Sequence, residues 1–160
     1  MRIFCQPTLY GCASRKDAET ALDMIKLGCD LEDCSSRGIT ALHHAAEHNL
    51  VDLATAMIDA GANIHCLDRR RYTPLHHAAF NGSLGVAKLL LDRGADIDAV
   101  EFRGWTPLMC IWPARYAELV DLFCSHGVDL TVRDNEGRTA LALAHRDCRR
   151  FEQLLKTGAR

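Results

Sequence analysis

Tyr72-Thr73-Pro74-Leu75-His76-His77-Ala78-Ala79 is the stretch that decides the fold, because versions of it recur at one fixed interval. Related stretches begin at Gly38, Gly104 and Gly137, and the threonines at positions 40, 73, 106 and 139 stand 33 residues apart. A second pattern, Gly-Ala-Asn at Gly61 and its variants further along, keeps the same interval. Two motifs that share one period predict a stack of similar units, each in contact only with its neighbours.

The period and the Thr-Pro-Leu-His signature resemble those of the ankyrin repeat family. The resemblance implies an all-α repeat solenoid, an ankyrin helix-turn-helix stack with β-hairpin-like fingers. We expect one ankyrin repeat domain over 1–160 with five units, the first and last being atypical caps. The register places the units at about 5–37, 38–70, 71–103, 104–136 and 137–160. An alternative is that Gly158-Ala159 begins a further finger of a longer protein.

The third unit shows how one repeat is expected to fold. Thr73-Pro74 enters a first helix, since proline is tolerated in a helix's first turn. Leu75 then faces inward, and residues 86–91 form a second, more apolar helix. Gly94 ends that helix because glycine adopts positive φ easily. The segment that follows is the extended finger, on which we expect Glu101 to be exposed and its replacement to change stability little.

The fourth unit departs from the pattern. Met109-Cys110-Ile111-Trp112-Pro113 stands where its neighbours have His-His-Ala-Ala. Bulky side chains in alanine positions overpack the interior, and Pro113 removes a helical N–H. The first helix of this unit is therefore predicted to be short or displaced. Local repacking is the favoured cause, and a distortion made for a ligand is the alternative.

Composition narrows the function further. The net charge is -2 and a quarter of the residues are charged, so no basic excess indicates nucleic acid as a partner. The run Arg69-Arg70-Arg71 next to Asp68 could mark a nuclear signal or a nucleic-acid patch, but a solvated finger is the favoured interpretation. No apolar run is long enough for a signal peptide or a membrane span, which predicts a cytoplasmic or nuclear protein.

The eight cysteines do not follow a metal-binding pattern, because no Cys-x-x-Cys pair occurs. Cys12, Cys29 and Cys66 each stand 33 residues before an alanine, so they fit the repeat as small buried residues with reduced thiols. We therefore expect no disulfide and no metal.

The histidines are also interpreted as structural. His43 and His76 stand at the histidine position of the Thr-Pro-Leu-His signature. The resemblance implies that these histidines form hydrogen bonds between neighbouring units. Adjacent residues on a helix point about 100° apart, so His43 and His44 cannot easily share a metal ion. His44 and His77 could face each other, but they would supply two ligands where zinc takes three or four.

No catalytic motif accompanies these residues. The sequence lacks the nucleophile-elbow, zinc-protease, phosphate-loop and dinucleotide patterns. A dyad of Cys110 with His77 would have no group to orient the base or to bind an oxyanion. We expect no enzyme, no catalytic residue and no cofactor.

The remaining function is protein binding. In the ankyrin family the finger tips and the exposed side of the first helices form a concave surface for protein partners. Carried over by register, that surface holds aromatic and arginine side chains, which are enriched in interface cores. The predicted partner-binding residues are Arg69, Arg70, Tyr72, Phe80, Asn81, Phe102, Arg103 and Trp105. The alternative is that Tyr72 and Trp105 pack along their own fingers.

The predicted function is that of a non-enzymatic, monomeric interaction module, a scaffold or adaptor. Its partner is a protein with acidic and apolar residues, and neither nucleic acid nor membrane is expected. The alternatives are a stand-alone ankyrin inhibitor of an enzyme such as a kinase, and a targeting segment of a larger protein.

Overall fold

The computed structural model describes residues 8–14, 18–111 and 117–143. The regular secondary structure of these residues is helical, with no β-strand among them, although an isolated bridge pairs Cys34 with Thr40. This agrees with the predicted α repeat fold. The helices are α1 (Leu9–Ser14), α2 (Ala18–Lys26), α3 (Ala41–Glu47), α4 (Val51–Asp59), α5 (Pro74–Asn81), α6 (Leu84–Asp92), a 3-10 helix (Pro107–Cys110), α7 (Ala117–Ser125) and α8 (Ala140–Leu143).

The helices form two layers. One layer runs through α1, α3, α5 and the 3-10 helix, and the other runs through α2, α4, α6 and α7. Within the first three repeats the two layers also meet, since α1 contacts α2, α3 contacts α4 and α5 contacts α6. Leucines at corresponding positions, such as Leu42, Leu75 and Leu108, are fully buried along the first layer. The apolar core is therefore continuous along the stack.

Helix ends follow the predicted signals. α5 begins after the extended residue Thr73 with Pro74 in its first turn. Gly94, just beyond α6, has a φ of +85°, as predicted for a glycine that ends a helix. None of the described helices is long and apolar enough to cross a membrane.

Four tight turns recur in the segments between repeats, at 35–38, 68–71, 101–104 and 134–137. In each turn the fourth residue donates its N–H to the carbonyl of the first. A side-chain oxygen of the first residue accepts two more backbone N–H groups, from the residues two and four positions later. Those first residues are Ser35, Asp68, Glu101 and Asp134.

Glu101 is therefore a structural residue, and the expectation that it is exposed is wrong. Its side chain is 3% exposed, and Oε1 accepts N–H groups of Arg103 at 2.8 Å and Trp105 at 3.1 Å. The buried carboxylate stabilises the turn through these two hydrogen bonds. The sequence of a polar segment does not indicate such a role.

Neighbouring turns are joined by one backbone hydrogen bond each, from the second residue of one turn to the third residue of the preceding turn. These bonds are Arg69 N–H to Arg37 O, Phe102 N–H to Arg70 O, and Asn135 N–H to Arg103 O. The fourth turn residue has positive φ and is glycine at 38, 104 and 137. Arg71 occupies that place in the second turn with a φ of +64°, a conformation that costs a non-glycine residue about 1–3 kcal/mol.

The fourth repeat contains the predicted short first helix. Pro107–Cys110 is one 3-10 turn, and Ile111 leaves it in an extended conformation while remaining buried. The prediction of a short helix is confirmed. Trp112 and Pro113, which were part of that prediction, lie outside the described residues, as does the last helix of the expected fifth unit.

Candidate functional site

The site begins with His43 of α3 and His76 of α5, which join their helices to the backbone that follows the next turn. Nδ1 of His76 accepts the N–H of Thr73 at 3.2 Å, and its Nε2 lies 3.0 Å from the carbonyl oxygen of Trp105. Because a carbonyl only accepts hydrogen bonds, Nε2 carries the proton and donates it. His43 Nε2 makes the same bond to the carbonyl of Tyr72 at 3.0 Å. The predicted structural role of His43 and His76, joining neighbouring repeats, is confirmed.

These bonds require neutral rings. Burial lowers the pKa of both His43 and His76 to about 4. At neutral pH both imidazoles are uncharged, and all of their nitrogens are used within the protein. They hold the backbone of Tyr72 and Trp105 in place.

Beside this network the first layer and the turns enclose a groove of about 510 Å³. Its lining combines cationic, aromatic and polar side chains from two successive turns and from α5. The lining residues are Arg37, Ile39, Asp68, Arg69, Arg70, Tyr72, His76, His77, Phe80 and Asn81.

The inner wall of the groove is a packed aromatic cluster. The Tyr72 ring meets the His76 ring edge-on at 5.5 Å and the His77 ring at 6.0 Å between centroids. His77 Nε2 lies 3.6 Å from Oδ2 of the largely buried Asp68. Burial raises the pKa of Asp68, but the approach of His77 and two backbone N–H donors outweigh it, so that the pKa lies below its ordinary value. Asp68 is a carboxylate at neutral pH, with Tyr72 and His77 held against it.

The rim of the groove is open to solvent. Phe80 is 58% exposed on α5, and Arg69 and Arg70 are exposed on the turn opposite. Neither arginine, nor Arg37 beside them, forms a salt bridge with a carboxylate of the described part of the chain. The arrangement offers an apolar surface next to unpaired positive charge.

The structure divides the eight predicted site residues into two groups. Arg69, Arg70, Tyr72, Phe80 and Asn81 line the groove. The other three belong to the next turn along the stack, outside that lining.

Those three residues form their own cluster. The guanidinium of Arg103 lies 5.1 Å from the Phe102 ring centroid and 5.9 Å from that of Trp105. Trp105 is half-buried against the core, and its Nε1 donates to Oδ2 of the buried Asp134 at 3.1 Å. Trp105 is thus held by a contact with the next turn rather than along its own finger, and its role toward a partner stays a prediction.

Five groove residues are absent from the predicted site residues, and two of them, Asp68 and His77, are absent for a visible reason. Asp68 reads in the sequence as a charge beside an arginine run, and His77 reads as one of a structural pair. The available signal was the row of hydrogen-bonding residues at 35, 68, 101 and 134, which follows the same period of 33. That row marks where each turn closes and therefore which side chains approach the first helices.

Residues 9–101 match a family model described as ankyrin repeats in three copies, which is more than half of the chain. The chain belongs to the ankyrin repeat family. Comparison with curated proteins yields no match. Ankyrin repeats are generally protein–protein interaction modules and are typically non-enzymatic. The match covers three repeats, so the division into five units stays a prediction.

The buried thiols of Cys66 and Cys110 in this ankyrin chain are poor nucleophiles at neutral pH. Burial raises the pKa of Cys110 to about 12 and that of Cys66 to about 11. Both thiols stay protonated at neutral pH, whereas the nucleophilic form of cysteine is the thiolate. Cys110 therefore lacks the activation that a dyad with His77 would require.

Proposed function

We propose that this ankyrin repeat chain is a non-enzymatic module that binds a protein partner through the groove between its second turn and α5. The observation that carries the proposal is the pairing of an exposed Phe80 with unpaired Arg69 and Arg70 across one groove. An exposed apolar side chain bordered by free charge is typical of a contact surface.

The chemistry of the groove specifies the partner. An apolar side chain of the partner would rest on Phe80 and on the Tyr72 ring, which packs against the His76 and His77 rings. Acidic residues beside it would meet Arg69 and Arg70. Because those arginines are solvated, their main effect would be on the association rate, with a smaller effect on the final affinity.

The finer parts of the proposal follow from the repeat register. The three matched repeats extend to five units, and Phe102, Arg103 and Trp105 flank the groove in the next unit. The module acts as a monomer in the cytoplasm or nucleus. The six described cysteines are free, which suits a reducing compartment.

The test is affinity capture from source cells with matched variants. Phe80→Ala removes the exposed ring, and Arg69→Glu with Arg70→Glu reverses the rim charge. Leu27→Ala is the control for the first, since Leu27 is 86% exposed at the end of α2, away from the groove. Arg133→Glu is the control for the second, since Arg133 is an exposed arginine of another segment.

The proposal expects a partner that both controls retain and both groove variants lose. With that partner purified, Phe80→Ala should weaken binding by about 2 kcal/mol if the ring is a hot spot. The arginine reversal should slow association, with the difference shrinking as salt rises. Partners retained equally by all folded variants would place the contact surface elsewhere.

A further inference from the structure

A second polar cluster lies at the C-terminal end of α3. His44, Glu47 and His48 stand at i, i+3 and i+4, so they share one face of the helix end. One potential ligand atom from each of the three lies within 4.8 Å of the other two. Neither the repeat framework nor the groove accounts for this set.

His44 is the unexplained member. Its side chain is 13% exposed, yet neither ring nitrogen has a hydrogen-bond partner in the described part of the chain. Nδ1 lies 3.6 Å from Oε2 of Glu47, which is too far for a hydrogen bond. Leaving a buried polar group without a partner costs about 1–3 kcal/mol. A group placed in this way is suited to an additional ligand.

Two other aromatic rings lie beside the His44 ring. The Tyr10 ring lies 5.1 Å away and the His48 ring stacks at 6.1 Å with an interplanar angle of 13°. These contacts leave the ring little freedom to turn its nitrogens toward solvent. Glu47 and His48 are half-buried, so the cluster remains open on one side.

We propose that His44, Glu47 and His48 form a binding site for a divalent metal ion of the zinc class. Two imidazoles and one carboxylate are a donor set that zinc takes in proteins. Ligand atoms around a tetrahedral zinc ion are about 3.3 Å apart, by the bond lengths that zinc prefers. The His44–Glu47 separation of 3.6 Å is already close to that value, and rotation of the more exposed side chains can bring in the third ligand.

A neutral imidazole offers one ring lone pair to a metal ion, and both nitrogens of His44 are free of other partners in the described part of the chain. Three protein ligands also leave a fourth position for water or for a side chain of a bound partner.

The neighbouring repeat shows that this cluster is not a general property of the fold. His77 occupies the corresponding position on α5, but Phe80 and Asn81 stand where α3 has Glu47 and His48. The α5 set therefore lacks both the carboxylate and the second imidazole. By the same register, the proposed ion would lie on the face that Phe80 and Asn81 present to the groove.

Isothermal titration of the full chain with zinc chloride tests the proposal. We expect a single ion per chain, with Glu47→Gln and His48→Gln each weakening affinity at least about tenfold. His65→Gln is the matched control, since this exposed histidine lies between α4 and α5 and should leave binding unchanged. Circular dichroism of each variant checks that the helices remain folded.

Titration with cobalt(II) identifies the ligands, because thiolate ligation gives an intense near-ultraviolet charge-transfer band that nitrogen and oxygen ligands do not. A stoichiometric cobalt complex without that band, lost in His48→Gln, supports the site. The proposal is overturned if the wild type binds no stoichiometric zinc. It is equally overturned if the folded Glu47 and His48 variants bind as tightly as the wild type, or if the cobalt complex shows thiolate ligation.

Discussion

At the scale of single residues, the position that opens each tight turn contributes more to the structure than its residue type suggests. Ser35, Asp68, Glu101 and Asp134 all accept two backbone N–H groups from their own turn. Charged acceptors make stronger hydrogen bonds than neutral ones. Three of the four turns are therefore closed by a carboxylate that also fixes where the following aromatic or arginine side chain points.

Glu101→Ala should lower the free energy of unfolding by about 1–3 kcal/mol, because two backbone N–H groups lose their acceptor in a buried place. Glu101→Gln keeps an oxygen there and should have a smaller effect. Urea denaturation measures both. Asp121→Ala, at an exposed position of α7, is the control and should stay within about 0.5 kcal/mol of the wild type. An equal effect of the Glu101 and Asp121 variants would mean that the turn carboxylate contributes nothing to stability.

At the scale of elements, the helices could be predicted and the turns could not. The start of α5 at Thr73-Pro74 and the glycine after α6 are local signals that each carry their own physical reason. The short helix of the fourth repeat followed from bulky residues in alanine positions. The turn-closing residues change from serine to aspartate to glutamate, so a comparison by residue identity does not align them.

The groove could be predicted in part for a related reason. Register alone places Arg69, Arg70 and Phe80 on the same surface, since corresponding residues of stacked units lie side by side. The contact of His77 with Asp68 and the bond from Trp105 to Asp134 depend on how closely one unit approaches the next. That distance is set by packing, which the sequence pattern does not specify. The repeated His-His pairs likewise direct attention to histidine with histidine, and the pattern of 33 does not relate His44 to Glu47 and His48.

The bond from α5 to the next turn gives the fold a dependence on pH. The pKa of His76 is about 4 in the folded protein and 6.5 ordinarily, because burial disfavours the charged ring. Between these values the unfolded chain binds more protons, so the free energy of unfolding falls as pH drops from 6.5 toward 4. Above pH 6.5 the stabilisation from the neutral ring is complete. Its loss on acidification lowers the free energy of unfolding by at most about 3 kcal/mol.

Replacing His76 tests this assignment. His76→Gln should be less stable than the wild type at neutral pH, but its stability should fall less on acidification. His43 has the same depressed pKa, so the variant should keep roughly half of the combined histidine effect. Urea denaturation between neutral pH and pH 4.5 measures the slope. An unchanged slope in His76→Gln would show that this ring is not held neutral in the fold.

At the scale of the whole molecule, the main helix contacts of the described residues join neighbouring repeats, so stability and binding can be separated by position. The groove lies on the surface of the second and third repeats, and its rim side chains Arg69, Arg70 and Phe80 are exposed. The turns lie in the joints between repeats, where each residue supports the next unit. A substitution in a turn between repeats therefore changes the stability of the stack, whereas a substitution on the rim of the groove changes the binding of a partner.

Phe80 and Trp105 are the pair that distinguishes these two effects. Phe80→Ala removes an exposed ring, so stability should stay within about 0.5 kcal/mol of the wild type while partner capture is lost. Trp105→Ala removes a half-buried ring and the donor to Oδ2 of buried Asp134 at 3.1 Å. We expect it to lower the free energy of unfolding by about 2 kcal/mol, less than full burial of an aromatic would give.

Urea denaturation and partner capture on both variants measure the two effects together. Trp105→Ala is then expected to weaken binding only as far as it loosens the contact between its own turn and the next turn. Lower temperature should restore that binding. If Trp105→Ala instead unfolds at the same urea concentration as the wild type and loses the partner, the indole contacts the partner directly. In that case the binding surface extends from Phe80 across the third turn, and the Asp134 bond merely orients the ring toward the partner.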